Sequence, residues 1–369
     1  MRKTAVVLGL AFVFVVASGS QARAQTSNSV QLNLNSGPQT DAFLQAVGMS
    51  QAELQSFLST KIDQLFQVSN AAGFVRNFGD AQGFTSKGLG VDYASEATYA
   101  EVGGAASFAL GMDKTYQPGN SQGFPIQGVG LNATVMGGVS LASLGIPIMV
   151  FANWMQVPTR SYGQMSGSLD NWGVHAQLRL FGPSRDTSAL KMLVRWGGIA
   201  ITTGIDSSHM KLSLQQDFTS SFQLPTAAGS VDLRNASGTV ASAGQFDVDM
   251  MTKTIPLEIT TSLRLLTLLS VYGGMGFDFR LDGWSNMDVT VNAALTGRVP
   301  ATALGPASSA DLGTATVTAS AREKPSPAKI RGIFGAQVNL WLLRIFVQLN
   351  AANTNPTMAS LAAGLRVAY

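Results

Sequence analysis

The sequence predicts an all-β fold, a transmembrane antiparallel β-barrel of about ten strands, with a short amphipathic helical segment before it. If two segments of the long loops also cross the membrane, the count is twelve. Three observations predict this fold: period-two alternation of apolar and polar residues, low charge, and connections that are short at one end only. Charged residues make up 12% of the chain, about half the usual quarter, while hydrophobic residues make up 46%. Alternation of apolar and polar residues along strands produces such a composition. After the predicted signal peptide the chain contains no run of 18 apolar residues, so no spanning helix is predicted.

The C-terminal stretch Met358–Tyr369 alternates cleanly, with Leu361, Leu365 and Val367 on its apolar face. It resembles the closing strand of Gram-negative outer-membrane β-barrels, which ends on an aromatic residue. The resemblance implies that Tyr369 is an assembly signal for the outer-membrane assembly machinery. It also implies that outer-membrane lipid surrounds the barrel.

The N-terminus predicts export. Arg2 and Lys3 precede an apolar stretch, and Ala22-Arg23-Ala24 is a cleavage signal, so residues 1–24 are a predicted signal peptide. Removing Arg2, Lys3 and Arg23 from the 24 basic residues leaves 21, which equals the number of acidic residues. A neutral mature chain gives no support for a nucleic-acid partner. The absence of cysteine excludes a disulfide framework and a lipid-modified cysteine. The predicted location is the cell outer membrane.

Residues 25–96 are predicted to form a leader, an amphipathic helix and a connector ahead of the barrel at 97–369. Gln25–Gly37 is polar and predicted to be mobile, and Ser50 with Glu53 forms a capping box. The helix that follows carries an apolar stripe at helical spacing: Leu54, Phe57, Leu58, Ile62, Leu65 and Phe66. This stripe fits a periplasmic lid over the barrel mouth, a plug inside the lumen, or a partner-binding helix. Residues 74–93 are predicted to be an aromatic, glycine-rich connector with a short strand at 88–93.

The remaining pattern predicts four hairpins with short links. Their strand pairs are Gly128–Leu141 with Ile146–Gln156, Trp172–Phe181 with Leu190–Thr202, Ile255–Leu263 with Thr267–Leu281, and Ile330–Leu340 with Leu343–Ala351. Ala97–Leu110 and Met358–Tyr369 complete ten strands.

All the longer loops then fall at the opposite, extracellular end, and both termini are predicted to be periplasmic. The two longest loops contain alternating stretches, His209–Phe218, Gly244–Met250 and Met287–Ala294, that could extend strands or cross the membrane. Ala321–Ala328 is predicted to be a solvated loop tip. Tryptophans near the strand ends predict interfacial girdles.

Basic residues on the polar strand faces gather near the short links: Arg179, Lys191, Arg264, Arg344 and Arg366. Two interpretations remain open. Either acidic lumen residues or helix groups neutralise them, with Glu101, Glu258 and Asp278 as candidate acids. Or they form a positive constriction that favours anions.

Candidate catalytic chemistry is sparse. The two histidines, His175 and His209, lie in no motif with a nucleophile at fixed spacing, and Asp247-Val-Asp249 resembles a metal loop only in part. We therefore predict no catalytic residue, no metal and no cofactor, and a protein that is not an enzyme. A lipid-modifying outer-membrane enzyme that uses His175 is the weakest alternative.

The stretch Asn77–Ala94, which reads NFGDAQGFTSKGLGVDYA, resembles the start of a leptospiral surface-adhesin family that binds host matrix proteins. Two main hypotheses for function follow. The first is a passive or helix-gated channel for small solutes. The second is a surface adhesin or structural barrel that acts through its long extracellular loops on an extracellular ligand.

Overall fold

The computed structural model describes residues 25–66, 71–94, 99–112, 127–182, 193–223, 236–266, 268–299, 308–354 and 356–369. The predicted signal peptide and Lys191 lie outside these ranges. Three helices precede the barrel: α1 (Pro38–Val47), α2 (Gln51–Phe66) and α3 (Ala71–Thr85). The strands are β1 (Gln25–Leu34), β2 (Ala100–Met112), β3 (Gln127–Ser140), β4 (Ile148–Tyr162), β5 (Met165–Phe181), β6 (Val194–Gln223), β7 (Ser237–Leu265), β8 (Leu269–Val299), β9 (Ser308–Glu323), β10 (Ala328–Leu340), β11 (Leu343–Asn353) and β12 (Thr357–Ala368). No helix in these ranges combines the length and apolarity needed to cross a membrane.

Ten of these strands close into an antiparallel ring, which confirms the predicted barrel. Their order is β8-β10-β11-β12-β2-β3-β4-β5-β6-β7, and β7 pairs back onto β8. The last strand closes against β2 as predicted, from Thr357 opposite Met112 to Ala368 opposite Glu101. Closure gives every strand of the ring a partner on both sides, as a lipid environment requires, because unpaired backbone groups find no water there.

The faces of the barrel strands are as the alternation predicts. In β7, Glu258 is buried in the lumen with 1% exposure, while its neighbour Ile259 points outward with 50% exposure. In β12, Arg366 and Ser360 are buried inside, and Leu361 and Leu365 are exposed outside. Polar residues therefore line the lumen and apolar residues meet the lipid.

Three strands continue far past the ring. β6, β7 and β8 are 30, 29 and 31 residues long, whereas a crossing strand needs about 9–11. β9 pairs with the outer half of β8, and β1 pairs with β9. We call the resulting five-stranded sheet, β1-β9-β8-β7-β6, the extension sheet. The predicted loop stretches thus extend strands and do not cross the membrane.

Two predictions for this region were wrong. Gln25–Gly37 is not a mobile leader, since most of it forms β1, which pairs with β9 without a register shift. Ala321–Ala328 is not a solvated loop tip, because Ala321 is fully buried at the end of β9 and Ser326 bonds to Asp80. Both segments lack strong local signals, and long-range pairing decides their conformation.

Helices α1 and α2 pack on the inner face of the extension sheet. Phe43, Val47, Leu54 and Leu58 are buried there with strand residues such as Leu312. The predicted capping box is present, with the Ser50 N–H donating to Glu53 Oε2 at 2.7 Å, and these bonds lower the pKa of Glu53. Phe57 is half-buried, while the side chains of Ile62, Leu65 and Phe66 lie outside the described structure. The apolar stripe therefore covers a sheet, and α2 is neither a periplasmic lid nor a lumen plug.

The lumen is filled by α3 and the residues that follow it, which were predicted to be a connector. Residues 79–94 are all buried, and 88–93 form turns and an irregular segment in place of the predicted strand. The glycine-rich composition has a steric reason, since small residues on both sides let a helix lie against the wall. A Cβ on Gly128 would lie 2.0 Å from the Asn77 carbonyl oxygen.

The chain leaves the lumen at the short-link end, where Tyr99 donates its backbone N–H to the Tyr369 carbonyl at 2.7 Å. β1, in contrast, lies at the long-strand end. The prediction that both termini lie at the periplasmic end was therefore wrong. The alternation within the strands does not indicate from which end of the barrel the segment before β2 enters the lumen.

Deleting Tyr369 should reduce the yield of folded barrel several-fold. The deletion removes an exposed aromatic side chain and the backbone bonds that join the end of β12 to Tyr99 and Ala100. The folded fraction can be measured from heat-modifiable gel mobility of outer-membrane preparations. Tyr369→Phe is the control and should assemble normally, and normal assembly of the deletion would contradict the assembly-signal prediction.

Candidate functional site

The lumen segment, residues 80–94, is tied to the barrel wall at three levels by ionic contacts. At the level nearest the extension sheet, Asp80 accepts from Lys329 Nζ at 2.8 Å. The Ser326 backbone N–H also donates to Asp80 at 2.8 Å, and the Ser326 hydroxyl donates to its other oxygen at 2.6 Å. This level fixes α3, at Asp80, to the link between β9 and β10 and to Lys329 in β10.

The middle level is centred on Lys87 and Arg331. Lys87 Nζ lies 3.1 Å from Asp206 Oδ2 and 4.0 Å from Asp278 Oδ1. Arg331 donates through Nε to Asp278 at 3.0 Å and through its terminal nitrogen to Glu258. These side chains are almost fully buried, so each charge is compensated by a neighbour of opposite sign.

Tyr93 completes the middle level from the lumen segment. Its hydroxyl donates to Glu258 Oε2 at 2.6 Å, and its ring packs against Tyr272 at 5.6 Å between centroids. The lumen segment therefore shares the same carboxylate with a wall arginine.

The third level lies near the short links and joins Asp92 to two arginines. Arg344 lies 2.9 Å from Asp92 Oδ2, and Arg366 lies 3.0 Å from Glu101 Oε1. Arg366 also donates to the Val91 carbonyl at 3.2 Å. Two guanidinium groups thus face two carboxylates in a buried, balanced cluster.

The structure brings some of the predicted lumen charges together but not all of them. Arg344, Arg366 and Glu101 meet in the third level, and Glu258 and Asp278 meet in the second. Arg179 and Arg264 are half-buried in β5 and β7, and Lys191 lies outside the described residues. The balanced pairing of Arg344 and Arg366 gives no support for the positive constriction.

Sequence reasoning missed Asp80, Lys87, Asp92 and Arg331. The first three lie in the segment that was interpreted as a connector, where no periodic pattern marks a lumen-facing residue. Arg331 could have been predicted, because it falls on the polar face of β10 between the outward Ile330 and the half-buried Gly332.

The two histidines occupy different environments. His175 is buried in the lumen, with Nε2 3.0 Å from Asp206 Oδ1, and neither ring nitrogen has a geometrically acceptable hydrogen bond in the described structure. His209 lies on the outside of the sheet, 2.9 Å from Asp249 and edge-on to Trp284. Among the described residues, no group of three or more His, Asp or Glu side chains is arranged to hold a metal ion.

The outer face of the extension sheet is the second candidate site. Cross-strand hydroxyl pairs run along it, with Ser27 and Ser320 oxygens 2.8 Å apart and those of Ser29 and Thr318 2.7 Å apart. A concavity of about 750 Å³ opens on this sheet, lined by Asp217, Thr219, Ala241, Ser242, Ala243, Asn292, Ala293, Ala294, Thr314, Ala315 and Thr316. Exposed alanines form the floor of the concavity and polar side chains surround them. This arrangement suits contact with a surface that carries many hydrogen-bonding groups.

The ring of ten strands, its lipid-type outer face and its filled lumen define an outer-membrane β-barrel protein. The Lsa36-like family profile matches residues 21–369. The chain therefore belongs to the Lsa36-like family, the surface-adhesin family that the Asn77–Ala94 stretch resembles.

Several solved outer-membrane barrels are similar to the chain at low identity. Ail, the attachment invasion locus protein of Yersinia pestis, is 8% identical over 74% of this chain and 100% of its own, with a TM-score of 0.26. The translocator domain of the autotransporter NalP from Neisseria meningitidis is 11% identical over 74% and 90%, with a TM-score of 0.28. The Pseudomonas putida toluene transporter TodX is 11% identical over 80% and 96%, with a TM-score of 0.22. None of the curated proteins matches the chain.

Replacing Asp92 by Asn should destabilise the folded barrel by about 3 kcal/mol, because Arg344 then loses a buried partner. The free energy of unfolding can be measured by denaturant titration of refolded protein in detergent. Asp288→Asn is the matched control, since Asp288 is exposed on the outer face, and it should change stability by less than about 0.5 kcal/mol. Equal effects of the two substitutions would contradict the anchoring role of Asp92.

Proposed function

We propose that the protein is a surface-binding outer-membrane barrel whose extension sheet carries the ligand site and whose lumen is closed by the lumen segment, residues 80–94. The observation that carries this proposal is the sheet built from β6, β7 and β8, whose strands are about 20 residues longer than a crossing requires. Membership of the Lsa36-like family supports the same function.

The extension sheet suits binding because it is rigid and polar outside. Its inner face is held by a continuous apolar core with α1 and α2, so the outer face is fixed in shape. Sites built on packed strands hold their geometry better than sites on loops. The outer face offers hydroxyl and carboxamide groups around the alanine floor of the concavity, which favours an extracellular macromolecule with many exposed hydrogen-bonding groups.

The closed lumen follows from the cost of separating buried charges. Withdrawing the lumen segment would leave Arg344 and Arg366 without Asp92, and Asp206 without Lys87. Breaking one partner of a buried ion pair costs about 3–5 kcal/mol, and three levels would have to break together. Free diffusion of solutes through the lumen is therefore not the function that we favour.

Filling the concavity should abolish ligand binding. Ala243→Arg and Ala294→Arg place long charged side chains on its exposed floor without entering the core. We expect at least a tenfold loss, about 1.4 kcal/mol, in binding to immobilised host matrix proteins, measured by surface plasmon resonance with refolded protein. Ser161→Arg, an exposed substitution outside the extension sheet, is the control. Unchanged binding by both alanine variants would exclude the concavity as the ligand site.

A gated channel is the second candidate, and the charged lumen wall is the observation that favours it, because an inert barrel needs no such lining. In a gated channel the lumen segment, residues 80–94, would be the gate, because it fills the lumen, whereas α2 packs on the extension sheet. Full-length protein should be silent in planar bilayers, and deleting residues 41–66 should leave it silent. Lys87→Met combined with Asp92→Asn should give discrete conductance if the segment is a gate.

The matched control for conductance is Asp288→Asn, which should behave as the wild type. Open channels in the wild-type protein would contradict the closed lumen. Silence of the Lys87 and Asp92 double variant would contradict gating by this segment.

A further inference from the structure

The strand β1 forms an open edge of the extension sheet. It pairs with β9 over all 10 of its residues without a register shift, and no other strand among the described residues pairs with its second edge. The second edge of such a strand presents unpaired backbone N–H and C=O groups, and proteins normally protect it with a charged side chain, a proline or a bulge. β1 reads QTSNSVQLNL and has none of these protections. It is therefore open to pairing with a further strand.

The apolar core is incomplete along this edge. Val30, Leu32 and Leu34 pack against the core that α1 and α2 form with the extension sheet, but each of them is only half-buried. On β9, Val317 lies opposite Val30 and is 2% exposed, and Ala315 lies opposite Leu32 and is 1% exposed. β9 has a neighbouring strand on both sides, whereas β1 has one. A further strand beyond β1 would therefore cover the apolar side chains of β1.

The composition of β1 favours a second copy of the same strand as that neighbour. β1 carries no charged residue, so two copies can lie side by side without like-charge repulsion. Its outward side chains are polar and exposed: Ser27, Ser29, Gln31 and Asn33. Directly opposite residues of an antiparallel pair share a face, so pairing of β1 with itself keeps polar residues outside and apolar residues inside.

One register uses both faces of the strand. When Gln31 of one copy lies opposite Gln31 of the other, Val30 lies opposite Leu32 in both halves of the pair. Ser29 then lies opposite Asn33 on the outward face. Apolar side chains meet on the core side, and the two carboxamides at the centre can exchange hydrogen bonds.

The symmetry of this pair decides where the second copy lies. Antiparallel pairing of two identical edges is isologous, with a twofold axis perpendicular to the sheet. The extension sheet continues the barrel wall and stands along the membrane normal, so this axis lies parallel to the membrane and inverts the second barrel. The second copy is therefore anchored in a facing membrane.

The strand lengths permit this arrangement. Gln31 lies opposite Thr316, and Thr316 lies opposite Asn292 in β8. At about 3.3 Å per residue, the described sheet extends roughly 23 Å from this level to Val299, whereas the bulge at Leu281, where the extension begins, is roughly 36 Å away. The described sheet of one copy thus stops short of the facing membrane.

A strand pair of this length is small beside the roughly 1,000 Å² of a stable interface, so a single contact is weak. Many copies on two facing membranes bind together, and their avidity exceeds the affinity of one contact. We propose that β1 is a docking edge for β1 of a second copy, and that this pairing joins two membranes.

The test uses the full chain refolded into phosphatidylcholine vesicles. Wild-type vesicles should aggregate, with a turbidity several-fold above that of protein-free vesicles. Gln31→Lys alone and Gln31→Glu alone should each lose most of this aggregation, because two like charges then face each other at the centre of the pair. Mixing the two kinds of vesicle should restore it, because opposite charges then meet. Restoration excludes misfolding of either variant as the cause of the loss.

Thr290 supplies the matched control, because it is exposed on the outward face of β8 and lies away from the edge. Thr290→Lys and Thr290→Glu should each aggregate as the wild type does, which excludes a general effect of vesicle charge. Ala243→Arg should also aggregate as the wild type does, because the edge and the concavity are separate sites. Failure of this proposal is thereby distinguished from failure of the ligand site in the concavity.

Cross-linking locates the contact. The chain contains no cysteine, so Gln31→Cys introduces a single thiol. Two thiols on directly opposite residues are close enough for a disulfide, so oxidation of the aggregated vesicles should give covalent dimers. Asp288→Cys, exposed on the outward face of β8, should give none.

Three results would each overturn the proposal: dispersed wild-type vesicles, aggregation of Gln31→Lys at the wild-type level, or absence of Gln31→Cys dimers. Each would leave the open edge to an extended segment of another protein. If the mixture of the two charged Gln31 variants stays dispersed, the cross-linking decides.

Discussion

The cost of an unpaired charge in a buried environment is the constraint on which the rest of the structure depends. The lumen of this barrel carries Arg331, Arg344 and Arg366, each almost fully buried. Carboxylates on the wall and on the lumen segment compensate them at close range. The lumen segment is therefore a structural part of the barrel. Whether the protein is a channel or a binding protein depends on whether the ion pairs between this segment and the wall ever separate.

The same logic applies to backbone groups. A barrel in lipid must leave no edge unpaired, yet β3 and β4 separate above Val135 and Trp154. At that point Gln82 of α3 donates through Nε2 to the Leu131 carbonyl and accepts at Oε1 from the Leu131 N–H, both at 3.2 Å, as a neighbouring strand would. α3 thus acts as a plug and as a substitute partner for the wall, which explains the glycines at positions 128 and 130 that let it approach.

The extension sheet forms because β6, β7 and β8 are longer than a membrane crossing requires. Where β6, β7 and β8 extend beyond the lipid, an apolar strand face would be exposed to water, so it must be covered. The bulge at Leu281 in β8, where Arg280 faces Thr254 and Asp282 faces Lys253, reverses which residues point inward. Met287, Val291 and Leu295 then face α1 and α2, and a polar face is presented outside.

The sequence by itself determined the ten barrel strands, their inward and outward faces and the closing position of β12. Those features are local, because alternation and the lengths of the links specify them. The tertiary structure decided the rest: β1 and β9 joined the extension sheet, α2 covered that sheet, and the glycine-rich stretch entered the lumen. The physical reason is distance along the chain. Asp80 pairs with Lys329 and Asp92 with Arg344 across about 250 residues of chain, and no periodic pattern in either segment indicates that pairing.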